Sequence, residues 1–383
     1  MGKLKAVGLC RAIALLGFVS ITGVSQAVDF TYSGFGNLTA GKVFSATGLE
    51  VGFPDNSKWK CPCYIADYSH GSVYESRWSF KPESRLGLQG NLSFNDDFSF
   101  TGQLMARHAA GDADLAVEQA YFSYNLSPKF TLQVGRKRLP LFFYSDFQDV
   151  AFAYNWARVP PDVYGWPVVN YNGANLTYRD DISGWAVKST VYFGQEHSKE
   201  VPIAKLSDPS RVDVEWDNMY GVDLELNRDW FTMRAAVNKS KQRRLRLGPN
   251  GLEQFSPDPA VFGKSSPQTY SSLSLNVDRD EFVVRSEFSR VNAAPARGSY
   301  RGYLIGAGYR FGNFLPMFTV SRLNAYGSTG KPEEVDRNVG ISLRYQLSDN
   351  SALKFQLDRS RWDFLNGTDN TRKLATVSYD FTF

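Results

Sequence analysis

The 383-residue chain has three cysteines, three histidines and, past its first residues, no long apolar run. Each shortage closes off a class of function. So few cysteines, without any Cys-x-x-Cys-His, make neither a disulfide scaffold nor a haem attachment site. His70, His108 and His197 are the only histidines available as general bases, and no Gly-x-Ser-x-Gly turn accompanies them, so no enzyme is expected. Net charge is only +4, and Lys3, Lys5 and Arg11 in the leader account for three of those charges. A remainder so close to neutral speaks against a nucleic-acid partner. After residue 27 no apolar stretch approaches the roughly 20 residues of a membrane-spanning helix. A membrane can then be crossed only with strands.

Residues 1–27 read as a secretory signal peptide: Lys3, Lys5 and Arg11, an apolar stretch from Ala12 to Val24, then the small-x-small site Ser25-Gln26-Ala27. Residues 28–383 form one domain. Export suits Cys61 and Cys63, in Trp59-Lys60-Cys61-Pro62-Cys63-Tyr64, which read as a disulfide within this chain or between subunits. With His70 they would still lack a fourth metal ligand, so neither metal nor cofactor is expected.

Period-two alternation runs through the whole exported sequence. Leu86, Leu88, Leu92 and Phe94 alternate with Arg85, Gly87, Gln89, Asn91 and Ser93, while Val339, Ile341, Leu343 and Tyr345 alternate with Gly340, Ser342 and Arg344. Seven short turns rich in Gly, Asn, Asp and Ser lie at Asn95 to Asp97, Ser127-Pro128, Arg179 to Ser183, Asn227 to Asp229, Asp278 to Asp280, Gly312-Asn313 and Ser348 to Asn350. Eight longer connections fall between them, at about 46–76, 109–115, 139–168, 195–216, 239–268, 292–299, 324–336 and 360–371. The result is an all-β chain of about 16 antiparallel strands with short turns at one end and long loops at the other, the plan of a transmembrane β-barrel. Aromatics near strand ends, among them Tyr178, Trp185, Trp230, Phe231 and Tyr309, fit interfacial girdles. The basic run Lys239, Lys241, Arg243, Arg244 and Arg246 reads as a solvated loop that could bridge lipopolysaccharide phosphates.

The final strand, Leu374 to Phe383, sets Ala375, Val377, Tyr379, Phe381 and Phe383 on one face and ends on phenylalanine. This resembles the C-terminal signal of outer-membrane barrels, with Tyr379, Phe381 and Phe383 as the residues read by the barrel-assembly machinery. The whole exported chain is similar to the sixteen-stranded Gram-negative porins, both general-diffusion and phosphate-selective types; Glu118-Gln119-Ala120-Tyr121, Leu126-Ser127-Pro128 and Val134-Gly135-Arg136 match a strand-turn-strand stretch common there. The resemblance implies an outer-membrane location among lipid and lipopolysaccharide and the possibility of a homotrimer, although the subunit latch of that family would here be the short connection 109–115. It also implies that loop 139–168, carrying Phe142, Phe143, Tyr144, Phe147, Phe152, Tyr154, Trp156, Tyr164 and Trp166, folds into the lumen as a constriction.

Strand parity and height place Arg85, Arg107 and Lys137 together on the inner wall, and Asp146, Asp149 and Asp162 face them from the constriction loop. Cations opposite acids would order water and polar solutes in a narrow opening, with a weak preference for anions. The expected function is passive diffusion of small hydrophilic solutes and ions. A channel selective for phosphate, another anion or sugars is the alternative, and a non-conducting adhesin or scaffold is the contrasting class. Inward Gly87, Gly221, Gly302, Gly306, Gly308 and Gly340 argue against the last by leaving room in the lumen.

Overall fold

In a computed structural model, the described residues are 28–48, 59–206, 210–248, 263–293, 298–327, 332–364, 367 and 369–383. Residues 1–27, read above as a signal peptide, lie outside them. Sixteen strands form the barrel: β1 (Asp29–Gly48), β4 (Arg85–Ser93), β5 (Phe98–Ala109), β6 (Asp112–Ser127), β7 (Phe130–Arg138), β8 (Asn170–Ile182), β9 (Trp185–Ser198), β10 (Arg211–Arg228), β11 (Phe231–Leu247), β12 (Ser266–Arg279), β13 (Phe282–Ala293), β14 (Ser299–Tyr309), β15 (Phe314–Tyr326), β16 (Pro332–Ser348), β17 (Ser351–Phe364) and β18 (Asp369–Thr382). Every neighbour is antiparallel, and β1 closes the ring by pairing with both β4 and β18. Closure leaves no unpaired sheet edge running the length of the wall, which a strand crossing in lipid requires.

Burial is inverted relative to a water-soluble protein. Leu38, Leu88, Phe193, Phe318, Ile341 and Leu357 are exposed on the outer face, whereas Asn175, Asp223, Asn338, Lys354, Gln356 and Ser378 are buried inside. With lipid outside, the exposed aliphatic side chains are in their preferred solvent, and the polar set finds partners across the lumen.

The seven short turns fall where the alternation breaks, at the end of the barrel where β1 begins and β18 ends. Four of them use left-handed backbone, at Ser183 and Gly184 (φ 54° and 77°), at Asp229 (φ 52°), at Asp280 (φ 53°) and at Gly312 (φ 56°). The connection expected at 109–115 is instead the two-residue turn Ala110–Gly111, with φ of 48° and 85°. Other strands also run further than the alternation suggested. The basic run from Lys239 lies on β11 rather than in a loop, with Lys239, Lys241 and Arg243 on one face and Arg244 and Arg246 on the other.

Phe383 completes the seam. Its backbone exchanges two hydrogen bonds with Gly34, at 2.8 and 2.9 Å, and its ring covers the space where a Gly34 side chain would stand. Phe381 stacks on both Tyr379 and Phe383, with ring centroids 5.7 and 6.3 Å away. Deleting Phe383 removes the last β1–β18 pairing and one ring of this outward stack. Folded barrel in the outer membrane, read as the heat-modifiable band on gels, should fall severalfold; an unchanged yield would show that the terminal ring is dispensable.

Candidate functional site

Two segments fold into the lumen. The first connects β1 to β4 and contains a small hairpin, β2 (Tyr64–Asp67) and β3 (Ser72–Tyr74). Tyr64, Ala66 and Tyr74 pack there on Val43 of β1 and Leu374 of β18. Gly41 makes this possible: a Cβ at that position would stand 2.6 Å from the Tyr74 ring. Cys61 and Cys63, just before the hairpin, hold their sulfurs 2.11 Å apart.

The second segment joins β7 to β8 and crosses the lumen. Its aromatics make two clusters, one on β10–β13 around Phe142 and Trp216, the other on β13–β15 around Tyr144, Tyr154 and Trp156. Phe142 stacks on Tyr164 at 4.4 Å, and Tyr154 meets Tyr144 edge to face at 4.8 Å. Polar contacts then fix the crossing segment to the wall. Trp156 Nε1 donates to Thr319 Oγ1 at 2.7 Å, Ser272 Oγ to Leu141 O at 2.6 Å, Lys354 Nζ to Ala151 O at 2.6 Å, and Arg344 to the carbonyls of Phe152 and Tyr154. Arg158 lies at the far side, buried, 2.5 Å from Glu83 and 2.7 Å from Asp358 of β17. Attachments on so many strands make this segment a fixed partition rather than a surface flap.

The inward glycines do not simply leave space. The Phe35 ring fills the position above Gly87, Tyr192 that above Gly221, and Met317 with Trp156 that above Gly306.

The six ionisable residues expected at the constriction fall into three places. Arg85 lies 3.0 Å from Asp149, which also pairs with Arg138; Arg138 lies 3.0 Å from Glu118, and Glu118 pairs with Arg107. A β-bulge carries this chain of charges. Gln103 faces Gln119 but Leu104 faces Val117, so Glu118 is the extra residue and turns into the lumen beside Gln119. Asp67 on the hairpin adds to it, 2.7 Å from His70 and 4.0 Å from Arg85. Burial opposes ionisation of Asp67, but His70 and Arg85 outweigh it and hold the carboxyl well below the usual range.

Lys137 and Asp146 form the second place, with Lys188, which the sequence reading missed. Asp146 lies 2.9 Å from Lys188 and 3.4 Å from Arg234, and Lys137 sits 4.3 Å above the Tyr121 ring. Burial again works against the Asp146 charge, yet Arg234 and Lys188 hold its carboxyl at about 2. These are the wetter charges: the Asp146 side chain is 39% exposed and that of Lys188 29%, against 3% for Asp149. Beside them, β4–β6 present a ladder of amides in which Gln103 donates to Gln89 at 3.2 Å and Gln119 to Gln103 at 3.4 Å.

Asp162 stands apart, accepting from Ser321 Oγ at 2.8 Å on the opposite wall. Burial pushes its carboxyl up to about 7, from the 3.8 of an unperturbed aspartate. The folded state therefore holds a proton that the unfolded chain releases, and stability falls as pH rises from about 4 through 7. Asp162→Asn removes that loss. At pH 8 the variant should unfold at a higher temperature than the parent in a heat-modifiability series, and at pH 4 the two should coincide.

Among the described residues, no group of three or more His, Cys, Asp and Glu is arranged to hold a metal ion. A family model for the Gram-negative porin matches residues 12–364. Comparison with curated protein sequences gives no match. Solved structures share the fold at low identity. The outer-membrane channel DcaP of Acinetobacter baumannii is 12% identical, with TM-score 0.61, covering 94% of this chain and 99% of that one. An anion-selective porin from Comamonas acidovorans is 10% identical (TM-score 0.57; 93% and 100% covered), and OmpF of Salmonella typhi, solved with daunomycin, is 13% identical (TM-score 0.56; 92% and 97% covered).

Proposed function

Because this chain belongs to the Gram-negative porin family and so forms a channel in the outer membrane, we propose that it passes small hydrophilic solutes and ions by passive diffusion. The observation that carries the proposal is the cluster of charges beside the partition, exposed Asp146 with half-buried Lys137 and Lys188, next to the amide ladder of β4–β6. Solutes descend along that wall, where charged and amide groups replace part of their hydration. The partition fixes the width, because its aromatics are packed and its carbonyls are tied to β12, β16 and β17. Arg85, Arg107 and Asp149 set where the partition sits, while Lys137 and Asp146 meet the solute. The site serves selection by size and charge rather than bond-making. Cys61 and Cys63 form a bridge that stiffens the approach to the β2–β3 hairpin. Swelling of liposomes carrying the folded protein tests this reading: rates should fall steadily as neutral sugars grow in size, and an absence of swelling with the smallest sugars would defeat it.

A further inference from the structure

Above the partition, on the side of the long loops, lies a cavity of about 470 Å³. Its character is unlike that of the amide ladder. Phe142, Trp166, Trp216 and Tyr270 form its floor and one side, with valines of β10 and β13 beside them. A lumen meant only for hydrated ions gains nothing from such a lining, whereas apolar walls with a few placed polar groups are the usual makeup of a ligand site.

The polar groups are segregated by sign. Arg244 projects from β11, and the ionisable group that acts on it among the described residues is the phenol of Tyr300. Across the cavity Glu334 and Asp336 project from β16, with Asp162 of the partition close by. Arg372 is the cation that acts on Asp336, so on that side three carboxyl groups stand around one guanidinium. Tyr300 lies between the two ends, within electrostatic reach of Arg244 and of both acids. Three buried polar atoms on the lining lack hydrogen-bond partners: the indole nitrogen of Trp216, the phenol oxygen of Tyr270 and Oδ1 of Asp336. Unmet groups at such depth are costly unless something else supplies the bond.

Spacing selects the ligand. Five strand steps of about 4.8 Å separate β11 from β16 along the wall. An arginine and an aspartate reaching inward across that arc leave about 10–15 Å between their charges, a span of three or four extended residues at about 3.4 Å each. A single amino acid carries its two charges far closer together.

We infer that this cavity binds short peptides of three or four residues with free termini and an apolar or aromatic side chain. The terminal carboxylate goes to Arg244, the terminal ammonium to Glu334 and Asp336, and the side chain to the aromatic floor. The inference deepens the channel reading by giving it a preferred solute, and it rests on that reading only for the direction of transport.

Calorimetric titration of the folded barrel in detergent tests it without requiring conduction. The probe is Ala-Phe-Ala-Ala, compared with its C-amidated form, its N-acetylated form and free phenylalanine. Amidation should weaken binding to the parent about tenfold and should cost nothing further in Arg244→Gln; acetylation should do the same against Glu334→Gln/Asp336→Asn. Equal binding of capped and uncapped peptides would overturn the inference, as would phenylalanine binding as tightly as the tetrapeptide. Binding of this pattern by a barrel that failed to swell liposomes would defeat passive diffusion and leave the peptide site standing. Swelling without the pattern would do the reverse.

Discussion

Replacing Arg158 with alanine should raise the channel's conductance severalfold and make it noisy. Arg158 is buried between Glu83, which precedes β4, and Asp358 on β17, with its guanidinium 5.2 Å from the Tyr64 ring. It thereby joins the crossing partition, the hairpin segment and the wall at one point. Its backbone N–H also donates to Gln356 Oε1, and the Gln356 amide donates back to the Arg158 carbonyl, at 3.0 and 3.1 Å. Removing the cation leaves the buried Glu83 and Asp358 carboxyls without the guanidinium that joins them, a loss of about 3–5 kcal/mol for a broken buried pair. The partition is the part that can yield, since the strands are held by their ladders. Open-channel current should increase and fluctuate as the far end of the segment detaches. Neutralising the abandoned acids as well, in Arg158→Met/Glu83→Gln/Asp358→Asn, should restore a quiet current close to that of the parent. A quiet, unchanged current in Arg158→Ala would show that the remaining attachments hold the partition without it.

Selectivity should respond most to the lysines beside Asp146. In Lys137→Glu/Lys188→Glu, the zero-current potential in a salt gradient should swing from weak anion preference to clear cation preference. Both lysines lie beside Asp146 in the wet part of the lumen, and charges beside a narrow opening act strongly because little water screens them. Only a small anion preference is expected of the parent, because Asp146 offsets part of the lysine charge. Arg85→Glu/Arg107→Glu should behave differently. Those reversals set like charges against Asp149 and Glu118 in a buried network, so they should lower folded yield more than they shift the potential. If the arginine pair moves the potential and the lysine pair does not, the solute path runs through the network and not along the β4–β7 wall.

The strand plan was legible because the bilayer imposes a contrast between faces: every outward residue in the apolar band must be lipid-soluble, and every inward one can be polar. Above the bilayer that contrast ends. Lys239, Lys241 and Arg243 on one face of β11 and Arg244 and Arg246 on the other give no alternation of polarity, so the upper part of the strand reads as a loop. The β2–β3 hairpin escaped for a different reason, since strands of four and three residues are too short to establish a period. At the site, parity placed Arg85 on the inner wall and the inward-folding loop set Asp149 against it, but neither could supply the residues linking Arg85 to Arg107. Glu118 turns inward at a bulge, where counting by twos fails, and Arg138 sits where the chain leaves the wall for the lumen. Lys188 had the inward parity and a visible sequence signal in Trp185-Ala186-Val187-Lys188; only its closeness to Asp146, a tertiary fact, singles it out.

The most direct test of the account is the current through single copies of the folded parent protein in a planar bilayer. Discrete, ohmic steps that stay open at modest voltage are expected, because water-exposed charges line a passage beside a partition fixed to the wall. Membranes that stay silent although they contain correctly folded, heat-modifiable protein would contradict it, and would mean that the partition seals the barrel.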